Sequence, residues 1–477
     1  MSNLATASRI AANAAPTTSL RPHAWLRDTR YSLLSASVIV VLLVLMIAPE
    51  GFDYSQLGVS SAPTSGGLLS RLAWLGALVA GAAVVVWRAR FSLVFVRWLN
   101  PFLLAFAVLA IVSVAWSIDP QVTARRGLRV MAIVLGCSAF ALMGWHARRF
   151  QNLLRPVISA VLVGSLMFGM LLPVLAIHQE THGVLAGAWH GLASHKNGLG
   201  DIACVGLILW FHAWLCRDVR GLSASVGLGI SLACLLLSRS STSLIAAVFT
   251  LCFLALFLRF PRELRHFMPY LAAIFVLTLL AFSIALIDIV PGSQLLLEPV
   301  AMLTGKDLSF TGRTVIWFIT LEHVQLHPLL GSGYGAYWTG PIAGTPSYEF
   351  VRLMYFYPGS AHNGYLDVLN DLGAVGLLVL LGYLLVFLIQ SLRLLKVDRA
   401  QSSLYLALFL HQSISNLSES RWLSVFSVDF VIMTLATTTL ARALLEQHWR
   451  GRKLRLAAAS VNPLGRTDSL SAGGRPA

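Results

Sequence analysis

SAHNGYLDVLNDLGAVGLLVLLGYLLVFLIQ, from Ser360 to Gln390, passes from a polar mouth into a long run without charge. A bilayer core of about 30 Å needs roughly 20 apolar residues in a helix, so 363–390 reads as a membrane span that starts at the membrane surface. Similar runs recur on both sides of it. With this one there are about twelve, at 31–49, 68–87, 99–117, 127–145, 156–177, 198–216, 221–238, 242–258, 268–290, 363–390, 401–418 and 422–444. Fusion of the pair at the Ser238 to Ser241 break would alter the topology downstream.

Composition agrees. Of the 477 residues 57% are hydrophobic and 12% charged, against roughly 25% charged in soluble domains, which excludes an ordinary cytosolic enzyme. The net charge of +15 would suggest nucleic acid in a soluble chain, but in a membrane protein basic residues first report orientation. With the N-terminus inside, the inner segments collect Arg88, Arg90 and Arg97, then Arg148, Arg149 and Arg155, and so on to the basic tail from Arg442. The outer side keeps Arg71, Arg125, Arg126, Arg129, Lys196, Arg239, Lys306, Arg313, Arg352 and Arg421. Topology gives these no role, so counter-ions or an anionic ligand must account for them as a set. The five cysteines lie singly in apolar runs and read as core residues.

The expectation is an all-α polytopic membrane protein of about twelve spans. Its parts are a cytoplasmic tail at 1–30 without a signal-peptide layout, spans at 31–290, an outer loop at 291–361, spans at 362–445 and a basic cytoplasmic tail at 446–477. The outer loop is too long for a connector and too aromatic for a disordered linker, with Trp317, Tyr334, Tyr337, Trp338, Tyr355 and Tyr357 among its rings. Those rings suit sugar faces or the membrane surface equally. Arg313 to Gln325 has no Pro or Gly and reads as a helix, and HPLLGSGYGAYW from His327 reads as a turn. His362 and Asn363 sit at the start of the next span, where free N–H groups and the helix dipole favour an anion and a neutral imidazole able to accept a proton. Taken alone, such a histidine is more often a capping residue than a base. Asp367 and Asp371 fall off its helical face, so no local His-Asp pair is expected.

The motifs GRTVIWFITLEHVQLHPLLGSGYGAYW from Gly312 and SAHNGYLDVLNDLGAVG from Ser360 resemble the O-antigen ligase and polymerase superfamily. AWSIDPQVTARRGLRV from Ala115 and SNLSESRW from Ser415 are similar to further segments of it, and GLASHKNGLGD from Gly191 resembles exopolysaccharide polymerases of the ExoQ type. The resemblance implies a GT-C-like, metal-independent glycosyltransferase without cofactors. Its donor would be an undecaprenyl-pyrophosphate-linked glycan at the periplasmic face of the inner membrane. Its acceptor would be a lipid-linked repeat unit for a polymerase, or lipid A core for a ligase. A flippase and a chain-length regulator would be partners. The resemblance gives Arg313 and His362 catalytic roles, and makes Arg239, Arg125, Arg126, Lys196, His195, Asn363 and Glu419 substrate-binding candidates.

Two other readings were weighed. His178, His182, His190 and His195 could suggest a metal, but HQETH lacks the HExxH order and its segment is Gly-rich. A transporter would place ionisable groups near mid-membrane or show two similar halves. Asp429 is the one residue that fits, while most of the polar sequence lies in one outer loop.

Overall fold

The computed structural model describes residues 22–47, 68–180, 185–259 and 313–461, with a few isolated positions between them. The expected ninth span, Lys306 and His182 lie outside the described residues, as do both tails apart from the helical residues 22–30 and 446–461. The helices are α1 Pro22–Ile47, α2 Leu68–Trp87, α3 Ala89–Val96, α4 Pro101–Val112, α5 Pro120–Leu142, α6 Arg149–Leu171, α7 Pro173–Ala176, α8 Lys196–Leu215, α9 Gly221–Leu237 and α10 Ser241–Arg259. The outer loop adds α11 Arg313–Leu326 and α12 Glu349–Met354, and α13 Gly364–Leu395, α14 Arg399–Ser415 and α15 Val428–Val461 follow. Extended pairing among the described residues is limited to Phe52–Asp53 with Gly58–Val59 and one bridge from Ile177 to Trp189.

The protein is therefore an all-α, multi-pass membrane protein. Six described helices are long and apolar enough to cross a bilayer, or seven if the pair at Ala89–Val96 and Pro101–Ala115, bent by 107°, counts as one span. Each expected span outside 268–290 overlaps a helix, but several are shorter than a bilayer crossing, and this length test does not reach twelve. The separation at Ser238 is real: α9 and α10 are distinct helices joined at Arg239, which adopts a left-handed φ of 48°.

Two boundaries differ from the hydropathy pattern, and each difference moves charged residues. α5 starts at Pro120, seven residues before the expected span at 127, because Asp119 caps it by accepting from Val122 N and Pro120 fits the first helical turn. Arg125, Arg126 and Arg129 therefore ride on a helix. The last span starts at Val428 instead of 422. Residues 416–427 instead form a folded loop, because the Asn416 side-chain oxygen accepts from the backbone N–H groups of Arg421 and Trp422.

The GSG turn of the outer loop is built into a break in α13. Gly373 has φ 64° and ψ −164°, so the helix kinks there and its neighbours lose helical partners. The turn supplies them: Pro328 O accepts from Ala374 N at 2.9 Å and Leu329 O from Val375 N at 3.2 Å, while Ser332 N and Gly333 N donate to Asn370 O and Asp371 O. A Cβ on Gly373 would lie 2.3 Å from the Leu329 carbonyl, and one on Gly331 would lie 2.4 Å from the Asp371 backbone. Both positions thus require glycine for conformation and for space.

Gly373→Ala is expected to cost about 1–3 kcal/mol of stability, read as a lower melting temperature in detergent. Gly229→Ala, on an α9 face with open space around it, is the control and is expected to be neutral or slightly stabilising.

Candidate functional site

The starts of α5, α8 and α13 and the loop 419–427 between α14 and α15 converge on a cavity of about 710 Å³. Helix N-termini at this opening bring positive dipole ends that favour an anion, with side-chain caps from Asp119, His195 and Asn363 taking part of their free N–H groups. Arg125, Arg126, Arg129 and Arg421 line the cavity, together with His195, Asn197, His362 and Glu419. The end of α1, at Leu45 to Ile47, contributes an apolar wall.

Glu419 is the hub. Its Oε1 accepts from Arg313 Nη2 at 2.8 Å and from Asn197 Nδ2 at 2.6 Å, and its Oε2 lies 3.6 Å from His362 Nδ1. Three distant segments, the HKN element, the start of α11 and the mouth of α13, are thus joined through one carboxylate. Burial by itself would raise its pKa, but the contact with His362 and the charges of Arg313 and Arg421 hold it down at about 2. Glu419 is anionic at neutral pH.

His362 occupies a left-handed backbone conformation, φ 49°, which is uncommon for a non-glycine residue. The neighbours hold it there. Ala361 N donates to Asp367 Oδ1, Ala361 O accepts from Trp317 Nε1, and Asn363 caps α13 by accepting from Tyr365 N and Leu366 N. With Nδ1 facing a carboxylate, the favoured neutral tautomer carries its proton on Nδ1 and leaves Nε2 as the basic nitrogen. Asp367 instead serves Ala361 and Trp338. The partner of the histidine comes from the 416–427 loop.

The other residues singled out in the sequence separate by geometry. Arg313 does not line the cavity but reaches its wall through Glu419. Arg126 spends its guanidinium on the carbonyls of Gly335 and Trp338, holding the GSG turn, and stacks over Phe426. Arg125 lines the cavity from the first turns of α5. His195 caps α8 through Nδ1, and burial, only partly offset by Glu419, lowers its pKa to about 4, so it is neutral at pH 7. Asn363 is occupied as a helix cap, Lys196 is buried outside the cavity lining, and Arg239, also outside the lining, donates to Ala186 O.

The sequence reading passed over Asn197 and a buried charge network beside the cavity. In that network His411 Nε2 lies 3.1 Å from Asp201 Oδ1, and Arg421 reaches Asp201 and Asp429 at 3.6 and 3.5 Å. Asp429, which looked like a mid-membrane transport residue, is therefore tied to an arginine at the mouth of α15. Asp201, His411 and Asp429 each present a possible metal-ligating atom, all within 4.8 Å of one another. Arg421 already supplies a cation to both carboxylates, so this donor set does not favour a metal. SRW following an acidic residue was the available sequence signal for Arg421.

A cavity among helix ends, with a carboxylate-oriented histidine and several arginines, defines a membrane protein suited to group transfer from an anionic donor. Residues 226–381 match the O-antigen ligase family. The chain is also 31% identical over 318 residues to the exopolysaccharide production protein ExoQ of Rhizobium meliloti (strain 1021), covering 63% of this chain and 68% of that one. The chain belongs to the O-antigen ligase and polymerase superfamily, whose activity is of the glycosyltransferase-like ligase or polymerase type.

Stability should carry the signature of Glu419. Its folded pKa lies below the ordinary 4.5, so its contribution is fully present above that value and is lost as pH falls toward about 2. Glu419→Gln is expected to cost on the order of 3 kcal/mol at pH 7. Melting curves should show the gap between wild type and variant closing between about pH 4.5 and 2.

Proposed function

We propose that this protein is a polysaccharide polymerase that transfers a glycan from undecaprenyl pyrophosphate to a hydroxyl of a second lipid-linked repeat unit. The reaction takes place at the periplasmic face of the inner membrane. The observation that carries this reading is the pairing of His362 with Glu419 at 3.6 Å in a cavity ringed by arginines and helix N-termini.

In this scheme the donor's diphosphate lies among the helix starts, with Arg125 as one of its contacts, and its lipid follows the apolar wall formed by the end of α1. The acceptor oxygen forms a bond to the anomeric carbon while the bond from that carbon to the diphosphate oxygen breaks. His362 Nε2 takes the acceptor proton, and the anionic Glu419 stabilises the imidazolium. Arg313 holds Glu419 in register, and positive charge and backbone donors neutralise the departing diphosphate. A single displacement of this kind inverts the anomeric centre. No step calls for a metal. The part of the ExoQ relative in exopolysaccharide production supports a secreted polysaccharide as product, and a flippase and a chain-length regulator would work beside the enzyme.

The match to the O-antigen ligase family favours a second reading, transfer of a finished glycan to lipid A core. Deleting the gene and sizing the lipid-linked glycans separates the two. Accumulation of single repeats supports the polymerase, whereas long chains unattached to lipid A would replace it with the ligase.

Arg313→Ala and His362→Ala are expected to reduce product by at least about a hundredfold, within the range for removing a proton acceptor or an electrostatic stabiliser, while membrane insertion is kept. Full activity in either variant would remove that residue from the mechanism. Purified enzyme is expected to keep its activity in excess EDTA, and loss with rescue by a divalent ion would overturn metal independence.

A further inference from the structure

Arg421 stands apart from the other arginines of the cavity. Its backbone is fixed by Asn416, whose side-chain oxygen accepts from Arg421 N at 2.9 Å and Trp422 N at 2.6 Å. Its side chain is 14% exposed and lines the cavity two residues from Glu419. A guanidinium has five N–H donors, and a buried one normally spends most of them. Among the described residues, no Arg421 side-chain donor makes a hydrogen bond. Nε lies 3.6 Å from Asp201 Oδ2 and Nη1 3.5 Å from Asp429 Oδ2, close enough for charge attraction but beyond good hydrogen bonding, and Nε has no hydrogen-bond partner.

The two acids are themselves anchored. Asp201 Oδ1 accepts from Ser415 Oγ and lies 3.1 Å from His411 Nε2, and Asp429 Oδ2 accepts from Ser427 Oγ. They hold the guanidinium from the protein side at two points, Nε and Nη1. Glu419, the third carboxylate acting on Arg421, is itself paired with Arg313. Arg126 and Arg313 contrast with this, because the first is committed to two carbonyls and the second to Glu419. The fork of Arg421 is pre-aimed and its hydrogen bonds are unspent.

We infer that Arg421 is a substrate-binding residue whose guanidinium, lining the cavity with its hydrogen bonds unspent, donates to the phosphate oxygens of a polyprenyl diphosphate bound there, with Asp201 and Asp429 as its positioning residues. This rests on the donor class proposed above. It adds a residue on the α14–α15 loop to the contacts, so that the loop carrying Glu419 would grip the leaving group as well as orient the base.

The test is affinity of the purified full-length protein in nanodiscs for undecaprenyl diphosphate and for undecaprenol, followed by tryptophan fluorescence, since Trp338 and Trp422 line the cavity. Wild type is expected to prefer the diphosphate. Arg421→Lys, which keeps the charge but loses the fork, is expected to weaken diphosphate binding roughly tenfold and leave undecaprenol binding unchanged. The double variant Arg421→Ala with Asp201→Ala removes charge of both signs together and is expected to lose the preference as well. A wild-type preference that survives in both variants would overturn the inference while leaving the donor class intact. Equal weakening for both lipids would make Arg421 a structural residue and overturn it too. A wild type that binds both lipids equally would overturn the donor class and, with it, this inference.

Discussion

The buried carboxylate of Glu419 meets Arg313 from the outer loop, Asn197 from the start of α8 and His362 from the mouth of α13, segments separated by as many as 222 positions in the chain. A charge this buried is tolerable only if it is paired and hydrogen-bonded. The fold therefore has to bring those three partners to it. Remove the carboxylate, and a cationic arginine and a strained histidine lose their shared partner in one place. The same interaction that stabilises this end of the bundle thus orients the proposed base.

Rigidity around this hub comes from the junction of the GSG turn with the break in α13. The turn completes the hydrogen bonding at the kink, and Arg126 binds Gly335 and Trp338 from the other side. Trp338 in turn donates to Asp367, which also accepts from Ala361 next to His362. A path of backbone and side-chain hydrogen bonds therefore runs from α5 through the outer loop to the histidine. It accounts for a non-glycine residue held at positive φ beside a cavity.

The buried ions also bear on what kind of protein this is. Ionisable residues inside membrane helices usually mark a transport path. Asp201 and Asp429 stand near helix ends, and both pair with Arg421, which faces the cavity. Their charges lie beside the proposed reaction site at one end of the bundle, an arrangement that suits an enzyme at the membrane surface.

Hydropathy period and length made the membrane class and most helix positions legible, because about 20 apolar residues in a row have few other uses. Asp119 followed by Pro120 carried the true start of α5, a capping signal stronger than the apolar run behind it. The outer-side cations and the SAHN mouth of α13 were also visible in the sequence. The identity of the partner of His362 was not, nor was the folding of 416–427 as a loop, nor the different uses of Arg126, Arg239 and Arg421. Charge and spacing along the chain give a residue its sign and its face. Which counter-ion it meets depends on helix packing between residues hundreds of positions apart, and that packing is decided only in the tertiary structure.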